Sequence, residues 1–136
     1  MGQAFLMGQK GVMKPKVVGL QWNQSTDTYA RLEDASGQSR SYFDNLYPWA
    51  GMKRCILSDS GQVVAYYGDV NYTEDGSTGQ VMVRIPKFYY FAKKIDSVYR
   101  WYISPNPQPS FKVHPAFVRN GVEKDCIYMS AYEGCI

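Results

Sequence analysis

Histidine occurs once in the 136 residues and cysteine three times, which leaves little of the chemistry that catalytic and metal sites are built from. His114 is followed directly by Pro115, and neither a nucleophile nor an orienting carboxylate stands beside it in sequence, so a structural role is expected. Cys55, Cys126 and Cys135 are odd in number and far apart, a pattern that fits neither a disulfide framework nor a CxxC metal site; reduced thiols are expected. P-loop, GxSxG, HExxH and GxGxxG patterns are all missing. Asp69, Asn71, Thr73 and Asp75 place side-chain oxygens at alternate positions, as calcium loops do. Glu74, however, occupies the sixth position, where an EF-hand needs glycine, and the later bidentate glutamate is missing, so a solvated turn is expected. The carboxylate pairs Glu33 with Asp34 and Glu74 with Asp75 are neighbours in loop-like sequence, not a pair set across a cleft. The expectation is a protein with no catalytic residue, no metal ligand and no cofactor, and not an enzyme.

Charge of one sign is also scarce. The net charge of +3 comes from basic residues scattered in ones and twos, without the stripe that nucleic-acid binding calls for. No window is long and apolar enough to cross a bilayer, and MGQAFLMGQKG lacks the charged start and apolar core of a secretion signal. Leu6 stands where a myristoylation signal places Ser or Thr. Neither nucleic acid nor membrane insertion is expected. The sequons at Asn23 and Asn71 then fall on turns with no glycosylating pathway to read them. Helical periodicity is missing throughout, while aromatic residues make up 15% of the chain.

Those aromatics concentrate in the stretch from Gln80 to Pro115, around which the chain is organised. Val81, Val83 and Ile85 alternate with Met82 and Arg84, and Val98 to Ile103 carries Tyr99, Trp101 and Tyr102 in a second β-prone run. Lys93, Lys94, Asp96 and Ser97 read as the exposed connection between the two. Upstream, Val17 to Asn23 and Thr28 to Leu32 form one predicted hairpin, and Met52 to Leu57 and Gln62 to Tyr67 form another about the turn Ser58 to Gly61. The segment holding Tyr42, Phe43, Leu46, Tyr47 and Trp49 is interrupted by Pro48 and Gly51, and is expected to be a loop with its rings turned inward. Gly68 to Gly79 reads as an extended loop, and Pro105, Pro107 and Pro109 as an extended connector. Phe111 to Val113, Ala116 to Arg119 and Cys126 to Ser130 are the last expected strands, with Asn120-Gly121 as a tight turn. The fold class is mainly β, with antiparallel hairpins forming a sandwich or barrel-like body. Residues 1–16 form an arm for assembly contacts and 17–136 the β-rich domain, with a subdivision into 17–79 and 80–136 as the alternative.

Two groups of side chains are the candidate sites. Phe5, Leu6 and Met7 lie in a glycine-rich arm too short to bury them, so they are expected to pack on another chain. Phe88, Tyr89, Tyr90, Tyr99, Trp101 and Tyr102 are candidates for a subunit interface, or for a surface on which sugars stack. Twelve tyrosines, six phenylalanines and three tryptophans are more aromatic surface than one small domain hides, so a homo-oligomer is expected, a trimer first.

Four words in order, VVGLQWNQSTDTYARLEDA from Val17, FDNLYPWAGMKRC from Phe43, GQVMVRIPKFYY from Gly79 and WYISPNPQPSFKVHPAFVRNG from Trp101, resemble a group of tailed-phage and prophage structural proteins. The resemblance covers nearly all the chain after residue 16. In longer members the IPKFYY and FKVHPAF words lead into a C-type-lectin-like domain of the kind used by major tropism determinant adhesins. The resemblance implies a virion location in a tail, collar, baseplate or fibre, with other virion proteins as partners and a host-surface glycan or protein as a second partner. It also implies the beginning of a truncated lectin-like fold, since this chain ends at Ile136, two residues past Gly134, where those members continue. Assembly is therefore the first expectation and receptor binding the second.

Overall fold

The computed structural model describes residues 16–134. Eleven short strands are joined by turns and three 3-10 turns, with no α-helix among the described residues. In chain order the strands are β1 (Val18–Asn23), β2 (Thr28–Glu33), β3 (Lys53–Leu57), β4 (Val63–Tyr66), β5 (Gln80–Pro86), β6 (Tyr89–Ile95), β7 (Val98–Ser104), β8 (Lys112–Val113), β9 (Val118–Arg119), β10 (Val122–Glu123) and β11 (Cys126–Ser130). They form two open antiparallel sheets, β2-β1-β7-β6-β8 and β11-β5-β3-β4, and a small β9-β10 hairpin. The expected mainly β, antiparallel architecture is what the chain adopts, with open sheet edges and no closed barrel. Strands from both sides of the Gly79-Gln80 step enter each sheet.

Local chemistry accounts for the hairpins. Asn23 Oδ1 accepts from the Ser25 amide at 3.0 Å, and Asp27 takes a φ of 48° while its Oδ1 accepts from Trp22 Nε1 at 3.0 Å. That closes β1 onto β2. Asn120 and Gly121 both have positive φ, 52° and 75°, the pairing that matches the twist of a two-residue hairpin. Ser58 Oγ accepts from the Gln62 amide and closes β3 onto β4.

The long stretch from Gln80 differs from expectation. It is not one strand of a single hairpin: β5 pairs with β3 and β11, while β6 pairs with β7 and β8, so the run changes sheets at Lys87 and Phe88. Pro86 has no amide to donate, which lets β5 stop there. Beyond it the Lys87 amide donates to Asp125 O, and Phe88 O accepts from the His114 amide. Lys93 and Lys94 lie inside β6, and only Asp96 and Ser97 make the turn. Two shorter corrections follow from local geometry. Residues Pro115–Phe117 form a 3-10 turn in place of a strand, with proline at its first position and His114 capping it. The proline-rich connector bends at Ser110, where φ is 67° and the Phe111 amide donates to Gln108 O, so Phe111 returns to stack on Phe91 at 6.0 Å.

The buried side chains among the described residues are Phe117, Ile56, Cys55, Ala65, Val18 and Ala35, with Pro48, Pro86 and Ser104. Phe117 sits where the sheets meet, 5.2 Å from the Phe88 ring. Of the aromatic loop, Tyr42, Phe43 and Trp49 turn partly inward and Phe43 meets Trp49 edge-on at 5.1 Å, whereas Tyr47 stays exposed. Cys55 and Cys126 stand on β3 and β11, which flank β5, so two strand spacings of about 5 Å each separate them. That exceeds disulfide reach. Burial pushes the Cys55 thiol up from its ordinary value. Timed alkylation of the native protein should therefore label Cys126 well before Cys55, and equal rates would show that β3 is accessible.

Candidate functional site: an aromatic sheet face

Residues directly paired across neighbouring strands project to the same side of a sheet. In the five-stranded sheet the registers put Tyr29, Trp22, Tyr99 and Lys94 in one row; Arg31, Leu20, Trp101 and Ala92 in the next; and Glu33, Val18, Ile103 and Tyr90 in the third. The third row is the inner one. Val18 is buried there, and Tyr90 packs 5.2 Å from His114, which also touches Phe88 at 5.1 Å. The other two rows extend towards the hairpin tips and come progressively into solvent: Leu20 is 40% exposed, Trp101 38% and Tyr29 63%.

The outer rings form a connected group. Trp22 lies 6.2 Å from Tyr29 and 5.4 Å from Tyr99, and Tyr99 lies 5.8 Å from Trp101, with neighbouring planes within 29° of parallel. Lys94 Nζ caps the row 4.7 Å above Tyr99. Trp101 stands between two apolar depressions. One, of about 320 Å³, is lined by Val18, Leu20, Phe43, Trp49 and Ile103. The other, of about 520 Å³, is lined by Phe88, Tyr90, Ala92 and His114. Arg31 lies over the Phe43 ring and donates to Gln38 O at the rim.

The six candidate aromatics are thus divided. Tyr99, Trp101 and Tyr90 share this face, Phe88 lines the same depression as Tyr90 while its ring also meets Phe117, and Tyr89 and Tyr102 lie on the opposite face. Tyr102 lies close over Gly19, where a Cβ would come within 2.8 Å of its ring. Leu20, Trp22, Tyr29 and Arg31 complete the face and were not among the candidates. Their alternation in β1 and β2, combined with the Asn23-Thr28 pairing, was the signal that would have found them. Phe5, Leu6 and Met7 lie outside the described residues.

His114, Asp69, Asp75 and Glu74 are engaged in structure. His114 Nδ1 accepts from the Ala116 amide at 3.3 Å among three rings. Asp69 Oδ2 accepts from the Tyr66 amide and Asp75 Oδ1 from Ser77, so the alternating oxygens serve the turn. Among the described residues no cluster of His, Cys, Asp and Glu could hold a metal. Glu74 bonds Arg54, Tyr72 and Tyr132, and the Arg54 bond is foremost in holding its carboxyl below the usual range. This tether on the loop is in place above the ordinary carboxylate pKa and is lost as the pH falls through the lowered one.

Compared with protein-family models, curated proteins and solved structures, the chain matches none.

Proposed function

We propose that the protein is a structural component of a tailed-phage particle, assembled into a symmetric tail, collar or fibre element by protein–protein contacts. The uncovered aromatic face carries this reading. A face that places Leu20, Tyr29 and Trp101 in water beside two apolar depressions resembles half of an interface, in which aromatic residues are enriched. The resemblance of four sequence words to phage structural proteins supports the same role. A second reading, adhesion to a host-surface glycan or protein, is favoured by the position of Trp101, since an aromatic wall between depressions suits the apolar side of a sugar ring.

The test is made on the particle. Mass spectrometry of purified virions should find the wild-type chain in fixed ratio to the other structural proteins. A chain carrying Leu20→Ser and Tyr29→Ser, both exposed positions, should fold but be depleted at least tenfold from particles. Undiminished incorporation would remove the face from assembly, and a chain missing from wild-type particles would remove the role.

A further inference from the structure

Charge is segregated along this chain. From Cys55 to Val83 it carries Asp59, Asp69, Glu74 and Asp75 and no lysine or arginine. From Arg84 to Lys112 it carries Arg84, Lys87, Lys93, Lys94, Arg100 and Lys112 against the single acid Asp96. The fold keeps these blocks apart. The β5–β6 run begins at Gln80, at the acidic loop, and ends at Ile95, at the basic hairpin tip. Asp59, Glu74 and Asp75 converge on one depression of about 890 Å³ beside Gln80, Val81 and Tyr132, where Glu74 is neutralised by Arg54 and Asp59 and Asp75 make no ion pair with a described residue. At the other end, Arg31 and Lys94 on the aromatic face, and Lys93 and Arg100 on the opposite face of the same hairpin, make no ion pair with a described residue.

Each end also exposes apolar surface. Tyr29, Leu20 and Trp101 accompany the basic hairpins, and Val64, Val70 and Tyr132 accompany the acidic loops. We infer that the partner of the aromatic face is a second copy of this chain, which presents its acidic Asp59–Asp75 surface to the basic, aromatic hairpins of its neighbour. The inference deepens the proposed assembly role and rests on it. Opposite potentials steer such surfaces together and set their register, while the rings supply the buried area. Because the two patches are different parts of the molecule, the contact is head-to-tail. It closes into a ring when the rotation per subunit allows, with a trimer as the first expectation.

Reciprocal charge reversal tests this on the full chain. Wild type at micromolar concentration should sediment as a closed oligomer that dissociates as salt is raised, since exposed charges are screened beyond about 10 Å at 0.1 M. Lys93→Glu with Lys94→Glu, and separately Asp59→Lys with Asp75→Lys, should each give a monomer with a cooperative melt. Mixing the two variants in equal amounts should restore association as one-to-one complexes with an even number of subunits, because unlike variants then meet opposite charge whereas an odd ring cannot alternate all the way round. Restoration also rules out misfolding as the cause of the loss. A monomeric wild type, variants that still assemble, or folded variants that do not recombine would overturn the inference. So would a monomer retained on an acidic polysaccharide column through Lys94, which would assign the face to a glycan. Wild-type chain present in virions but monomeric alone would overturn self-association and leave the structural role standing.

Discussion

Phe117→Ala should lose about 3–5 kcal/mol, a large share of the about 5–15 kcal/mol that holds a domain folded. Phe117 is fully buried and meets Phe88 at 5.2 Å and His114 at 6.3 Å, both edge-on. Its carbonyl accepts from the Lys124 amide and its amide donates to His114 O, so the ring is carried on a short turn pinned at both ends. Such a site collapses poorly around a cavity, which places the loss towards the upper end for a phenylalanine truncation. The few other fully buried large side chains leave little to compensate. Urea unfolding followed by tryptophan fluorescence gives the measurement. A loss below about 1 kcal/mol would mean that the sheets are held together elsewhere.

Gly79→Ala should cost about 2–4 kcal/mol by a different route. Gly79 has a φ of 147°, and a Cβ there would stand 2.7 Å from Leu57 O and 2.8 Å from Ile56 Cγ2. The first contact is backbone in the adjacent strand, paired at Leu57 with Gln80, and cannot rotate away. Gly61→Ala supplies the comparison: its φ is 80° and nothing lies within 4 Å of the added carbon. That variant should lose only about 1 kcal/mol, from backbone strain alone. Equal losses in the two variants would show that crowding at Gly79 contributes nothing.

The legible parts of this fold were those closed by local chemistry. Asn23 to Thr28 and Ser58 to Gly61 carry their own turn signals, and the hairpins around them have the expected limits within a residue; Asn120-Gly121 also forms its expected turn, but between Val118–Arg119, where Ala116–Arg119 was expected, and Val122–Glu123, which was not expected as a strand. The change of sheet at Lys87 was not legible. Val81 to Phe91 reads as one β-prone run, and whether a strand pairs with β3 or with β7 depends on surfaces distant in sequence. Trp101 and Tyr99 stood out as candidates because they are aromatic in a strand. Assigning them a face required the register with β1, which then brings in Trp22 and Leu20. Tyr102 was grouped with them by adjacency, yet alternation sends it to the other side.

The continuous path from Gln80 through Lys87 to Ile95 also bears on how the molecule carries load. β5 has a bonded neighbour on each side, and β6 has β7 along its whole length. Tension applied along this path therefore strains rows of hydrogen bonds lengthwise, many at once, where a force across a hairpin would open them one by one. A subunit gripped at its acidic loop by one neighbour and at its basic hairpin by the next would be pulled along that strong axis.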